Sequence, residues 1–285
     1  MAQGIYIGVS EKAQKVKNIY VGVDGKARKV KKAYIGVNNV ARLIYSGGEF
    51  AFTYTGACSV EGDLGGDFVI RFTTSGTLKI TDAGNAASLD VFLAGGGGGG
   101  GAAYYTKGRM SGGGGAGGGY TAAASGVTLS VGTEYTITVG AGGAAKTAGG
   151  QTSAFSRTAK GGNAGGTASS AQRGGIGGAG GSGGGGGGGV SIQGGSAGAG
   201  GTDGGDGENG LGVTGGSGQG TTTREFAASN GKLYASGGAG STNGSTIPVT
   251  EAANTGNGGR GGVPNSTNTA GGAGGSGIVC IRNHR

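Results

Sequence analysis

A chain of 285 residues with 81 Gly, two Pro, one His and no Trp is not an ordinary globular protein, because glycine brings no side chain to a core and loses the most backbone entropy on folding. Collagen is excluded as well: it needs Gly at every third residue and abundant Pro, whereas 95–101 and 183–189 are unbroken glycine. The net charge of +8 is concentrated in residues 1–46, where nine Lys/Arg stand against Glu11 and Asp24 for a net +7, so the rest of the chain is almost neutral.

In chain order, the first feature is an internal repeat. Ile5-Tyr-Ile-Gly-Val9, Ile19-Tyr-Val-Gly-Val23 and Ala33-Tyr-Ile-Gly-Val37 recur every 14 residues, and Ala13/Ala27/Ala41 keep the same register. Each unit reads as a β-hairpin. A β-branched and aromatic strand is followed by a turn such as Asp24-Gly25 or Asn38-Asn39 and then by an alternating basic strand. Short hairpins of this kind bury little apolar surface alone, so residues 1–46 are expected to anchor the chain to a partner or to copies of itself. The lysines follow the strand period, which suits a solvated or edge-protecting face better than a nucleic-acid site.

Past Gly47-Gly48 the pattern changes to short strands at Phe50–Tyr54, Asp67–Phe72, Gly76–Ile80, Leu89–Leu93, Val127–Val131, Tyr135–Val139 and Gly277–Ile281. Seven strands with turn signals predict an antiparallel β-sandwich. The last strand follows the sixth by more than 130 residues. The fold expected is therefore all-β in three parts: hairpin repeats over 1–46, a sandwich framework over 47–140 plus 276–285, and a glycine-rich insertion over 141–275. For the insertion, a bundle of polyglycine II helices is expected. That helix has three residues per turn, rises about 3.1 Å per residue and points every amide outward, so bare backbones can satisfy one another. The run 174–189 would then extend about 50 Å.

Nothing in the sequence assembles a catalytic set. The lone His284 is next to the C-terminus, Cys58 and Cys280 have no metal-like spacing, and Asp203, Asp206 and Glu208 match no calcium loop. No enzyme activity, cofactor or metal is expected. The two cysteines are expected as free thiols, with a disulfide as the alternative. Residues 1–9 lack a basic stretch followed by an apolar one, and no run approaches the roughly 20 apolar residues that cross a bilayer. A protein made in the cytoplasm without signal peptide is expected.

The islands between glycine clusters carry the chemistry. Tyr104, Tyr105, Lys107 and Arg109 form the densest set, followed by Phe155 with Arg157, and Arg224 with Phe226 and Tyr234. Tyr and Arg give rigid contact area and versatile hydrogen bonding, so these are the candidate receptor-binding residues; capping of the glycine body is the alternative role for each.

Phe50-Ala-Phe-Thr-Tyr-Thr-Gly56, Phe72-Thr-Thr-Ser-Gly-Thr-Leu78, Asp90-Val-Phe-Leu-Ala-Gly-Gly-Gly97, Tyr135-Thr-Ile-Thr-Val-Gly-Ala-Gly142 and Gly274-Gly-Ser-Gly-Ile-Val-Cys-Ile281 resemble the glycine-rich tail proteins of phages and prophages of Gram-positive bacteria. The glycine body is also similar to the tail-fibre tip adhesins of T-even-like phages. The resemblance implies a homotrimeric virion tail fibre or tail-tip adhesin. Residues 1–46 would dock on other tail or baseplate proteins, and the islands would bind a host surface glycan or protein. A non-adhesive spacer or decoration fibre is the nearest alternative, and an ice-binding or cell-surface glycine-rich protein the second.

Overall fold

The computed structural model describes residues 6–9, 12–16, 19–30, 32–37, 40–46, 48–84, 86, 88–106, 109–169, 173–189, 194–200, 205–211, 213–218, 223–242, 250–264 and 269–283. The all-β expectation holds: among the described residues the regular structure is β-strand, and the one helical element is a single 3-10 turn at Glu225–Ala227.

The chain starts with three two-stranded hairpins: β1 (Tyr6–Val9) with β2 (Lys12–Lys15), β3 (Tyr20–Val23) with β4 (Lys26–Lys29), and β5 (Lys32–Val37) with β6 (Val40–Ser46). Their registers repeat, with Gly8 opposite Ala13, Gly22 opposite Ala27 and Gly36 opposite Ala41.

Next come β7 (Ala51–Tyr54), β8 (Cys58–Gly62), β9 (Phe68–Phe72), β10 (Gly76–Asp82) and β11 (Leu89–Ala94). The hairpin β12 (Tyr104–Thr106) with β13 (Arg109–Ser111) follows, then β14 (Thr121–Val127), β15 (Glu134–Ile137) and the hairpin β16 (Thr152–Ala154) with β17 (Arg157–Ala159). A small pair, β18 (Thr223–Arg224) with β19 (Leu233–Tyr234), and β20 (Ile278–Asn283) complete the set.

Two antiparallel sheets, β15-β10-β7 and β14-β11-β20-β9-β8, share one hydrophobic core. Side-chain alternation explains the division of residues. Phe68, Ile70 and Phe72 of β9, Val91 and Leu93 of β11, and Val279 and Ile281 of β20 meet Leu78, Ile80 and Ile137 of the smaller sheet. Each such buried side chain contributes roughly 1.5–3 kcal/mol. The intervening residues Phe92, Ala94, Ile278 and Cys280 form a second cluster on the outer face of the five-stranded sheet. The sequence missed β8, a polar edge strand exposed along its length, and set the strand at Val127–Val131 instead of Thr121–Val127. Ala122, Ala123 and Ala124 carry little β signal, yet they pair with Leu93, Phe92 and Val91.

The glycine segments belong to neither sheet. Their amides bond to one another with a period of three. In 95–103, the amides of Gly95, Gly98 and Gly101 donate to the carbonyls of Tyr120, Gly117 and Gly114. Those of Gly96 and Gly99 donate to Gly150 and Thr147, and those of Gly97, Gly100 and Ala103 donate to Gly275, Gly272 and Thr269. Its carbonyls accept from three more segments: Gly96, Gly99 and Ala102 from Gly162, Gly165 and Ala168; Gly97 and Gly100 from Gly143 and Lys146; Gly98 and Gly101 from Gly259 and Gly262. The six surrounding segments also bond to each other in turn, closing a ring. Segments 112–120 and 182–188 are enclosed in the same way.

Three central segments thus lie in a row inside a shell of others, and their sequences follow from that position. Segment 95–101 is pure glycine, because a Cβ on Gly100 would stand 1.8 Å from the Arg260 carbonyl oxygen. Segment 112–119 admits one buried alanine, Ala116, with both of its backbone bonds kept at 2.8 Å. Shell segments carry a larger residue at every third position, facing outward: Ile176 and Ala179, Asn257 and Arg260, Ala270, Ala273 and Ser276. The glycine network is not confined to 141–275, since 95–101 and 112–119 are its inner members. The run 174–189 is not one extended rod of about 50 Å. It doubles back near Ser182, so that Gly184 and Gly187 donate to Gly178 and Gly175.

Candidate binding surface

The segments alternate in direction, so their connections gather at two ends. At one end Gly95, Tyr120 and Gly277 run directly into β11, β14 and β20 of the sandwich. At the other, hydrogen bonds link Gly101 with Gly114 and Gly262, Ala103 with Thr269, Gly112 with Gly175 and Gly188, and Gly188 with Ser241. Beyond these residues, the described part of the distal end consists of the β12–β13 hairpin and the turn closed by the Leu211–Thr214 bridge. Among the described residues, this hairpin and this turn therefore share the distal end.

Of the candidate receptor residues, Tyr104 and Tyr105 are at this distal end, half-buried on β12, opposite Ser111 and Met110. Arg109 opens β13 opposite Thr106, and Lys107 lies outside the described residues. Sequence reasoning missed the distal turn at 211–214, where Leu211 is 75% exposed and Val213 also faces solvent. Arg173, exposed at the start of 173–181, was missed too.

The other five candidates are at the sandwich end. Phe155 occupies the two-residue turn between β16 and β17 with a φ of 52°, and its ring is buried edge-on to Tyr135 at 5.6 Å. Arg157 Nη1 donates back to the Phe155 carbonyl at 3.0 Å. Beside this turn is a shallow groove of about 340 Å³ lined by Val127, Leu129, Glu134, Tyr135, Phe155 and Ser156. Arg224 Nη1 donates to the Gly231 carbonyl at 3.2 Å. Phe226 and the buried Tyr234 pack on Phe92, with ring centroids 6.1 and 5.4 Å away.

Segment 223–235 is a clamp over the outer face of the five-stranded sheet. Glu225 accepts two hydrogen bonds from Arg71, at 2.8 Å from Nε and 2.7 Å from Nη2, and Arg71 Nη1 reaches Glu61 at 2.6 Å. The Arg71 and Glu225 side chains are both buried, so this fork-to-fork pair replaces the water each would lose. Burial opposes the Arg71 charge, but the hydrogen bonds to Glu225 and Glu61 outweigh it and raise the Arg71 pKa. The same guanidinium lowers the pKa of Glu61. Arg282 completes the clamp, 4.4 Å over the Phe226 ring while paired to Asp90 at 2.9 Å.

Both cysteines are free. Cys58 on β8 and Cys280 on β20 are separated by β9, two strand spacings or about 10 Å, which is too far for a disulfide. Burial drives the pKa of Cys280 well above its ordinary value, which makes it an inert thiol. Among the described residues no group of His, Cys, Asp and Glu is placed to hold a metal ion, and no helix is long and apolar enough to cross a membrane. Asp206 and Glu208 accept from the amides of Gly200 and Ser217, and Asp203 lies outside the described residues.

A family model described as a glycine-rich domain matches residues 73–284. The chain belongs to this family. The match starts directly after β9 and extends past β20, so the glycine-rich domain takes in most of the sandwich as well as the network attached to it. The three hairpin repeats precede it. Comparison with curated proteins returns no match.

Proposed function

We propose that this protein is an adhesive fibre of a phage tail, in which the glycine body is a rigid bundle of polyglycine II helices presenting its distal connections to a host surface. The period-three bonding carries this reading. A helix with three residues per turn sends its amides in three directions, which accounts for why 95–101, 112–120 and 182–188 each bond to six neighbours. A segment of about eight residues rises roughly 25 Å at about 3.1 Å per residue, and that length separates the distal turns from the sandwich.

Rigidity matters because binding through loops costs ordering entropy. Anchoring the distal hairpin and turn in one lattice would remove part of that cost before a receptor arrives. Tyr104, Tyr105, Arg109, Arg173, Leu211 and Val213 supply the aromatic, cationic and apolar groups suited to a glycan or protein surface. Residues 1–46 would hold the fibre to tail or baseplate proteins at the sandwich side, where β6 leads into β7. The protein would act within the virion, as a binding part with no catalytic role and no cofactor.

The test is competition. Purified protein should block phage adsorption to host cells, and a Tyr104→Ala/Tyr105→Ala variant with an unchanged melting temperature should lose at least about tenfold in potency. Adsorption blocked equally by both proteins would remove these residues from the contact. Failure of the wild type to block at all would favour a spacer fibre.

A further inference from the structure

Gly22 and Gly36 occupy the middle of strands β3 and β5, where glycine is unfavourable by roughly 0.5–1 kcal/mol relative to alanine. Nothing among the described residues accounts for them. Neither has a left-handed φ, and a Cβ built on either meets nothing within 4 Å. Yet glycine recurs at this position in all three repeats, each time opposite an alanine: Ala13, Ala27 and Ala41. A strand glycine commonly marks a bulge, a sharp bend or a close approach by a ligand or another backbone, and the Gly–Ala pairs here are in regular register, which leaves the close approach.

The same face carries its own knob. Tyr20 and Tyr34 stand two residues before Gly22 and Gly36, so strand alternation puts each tyrosine beside a Gly–Ala notch. The two rings are 59% and 56% exposed. Knob and notch recur together at a 14-residue pitch, and another copy of the chain presents the same pair at the same pitch. A surface that is both donor and acceptor of the same shape is self-complementary, the requirement for association between identical subunits. An isolated two-stranded hairpin is marginal in water, which gives each repeat a reason to find such a neighbour.

We infer that the Tyr–Gly face of the hairpin repeats is the surface on which copies of this chain pack together, the tyrosine of one copy seated over the Gly–Ala notch of another. Val21, Val23, Ile35 and Val37 are on the opposite face, which has no unexplained glycine and is not assigned to this contact. The net +7 of residues 1–46 sets the salt dependence. Like-charged modules repel, so added salt tightens a contact between copies, whereas it loosens docking on an acidic partner. The inference gives the expected self-association a surface and stands independently of adhesion.

Sedimentation of the full chain tests it. Wild type should run at a multiple of the 26.6 kDa chain mass, and assembly should strengthen as salt rises from about 50 to about 500 mM. Gly22→Val/Gly36→Val fills both notches while placing a strand-favouring residue in open space. It should keep or increase the β signal in circular dichroism yet weaken association at least about tenfold. Tyr20→Ser/Tyr34→Ser should weaken it similarly. A wild type that stays monomeric, a valine variant that assembles as well as wild type, or assembly that salt dissolves would each overturn the inference.

Discussion

Replacing Gly98 by alanine puts the packing rule under direct strain. Its Cβ would be 2.2 Å from the carbonyl oxygen of Asn163, against 3.4 Å for the short end of ordinary contact, so a central segment or its neighbour has to shift by more than about 1 Å. The surrounding bonds do not allow that. The Gly98 amide donates to Gly117 at 3.0 Å and its carbonyl accepts from Gly259 at 2.8 Å. Each buried group left unpaired costs about 1–3 kcal/mol and overpacking about 1–3 kcal/mol more, for a total of about 3–9 kcal/mol. At about 2–4 °C per kcal/mol for a domain of this size, the melting temperature should fall by at least about 6 °C. Gly66→Ala is the control: its Cβ would meet nothing nearer than the Asp63 carboxylate at 3.4 Å, an ordinary contact, so the change should be neutral or stabilising by up to about 1 kcal/mol. Both variants and wild type would be compared by differential scanning calorimetry. Equal melting temperatures for Gly98→Ala and Gly66→Ala would refute the claim that the network depends on missing side chains.

Removing the clamp carboxylate in Glu225→Ala leaves Arg71 buried beside an empty site and should destabilise by about 3–5 kcal/mol in chemical denaturation. In native protein a thiol reagent should modify Cys58 and leave Cys280 unreacted until unfolding, as read by mass spectrometry. Burial pushes the Tyr54 hydroxyl from 10.0 up to about 12, with Cys58 adding to the shift. A raised folded-state pKa contributes stability that is fully present below the unfolded value. Melting temperatures should therefore hold up to about pH 9 and fall between about pH 10 and 12, and Tyr54→Phe should reduce the fall. In acid the sign reverses: the Glu61 pKa is lowered by Arg71, so its contribution is present at neutral pH and disappears as pH drops through the carboxylate range.

What the sequence disclosed follows from how local each signal is. The 14-residue repeat and the strands around Phe68–Phe72 and Leu89–Leu93 are written in neighbouring residues, through turns and alternation, and the structure has them. The inner and outer places in the glycine network are also local. Unbroken glycine marks 95–101 as central, and a larger residue at every third position marks the segments of Ile176 and Arg260 as shell. The fold of 174–189 was hidden because a glycine run carries no record of where it turns, and Ser182 is the sole interruption there besides Ile176 and Ala179. The site is less legible. Arg71 and Glu225 are 154 residues apart and nothing near either announces the other. Phe155, Phe226 and Tyr234 resemble Tyr104 and Tyr105 in composition of their islands, and only the direction of each glycine segment decides which island faces the sandwich and which faces away.

Amide hydrogen exchange resolved to 95–101, 112–119 and 182–189 addresses the backbone network most directly. If bare backbones lock one another in place, these amides should exchange as slowly as those of β9, β11 and β20, despite having no hydrophobic core around them. Exchange of these three segments at the rate of an unstructured peptide, while the sandwich stays protected, would contradict the account.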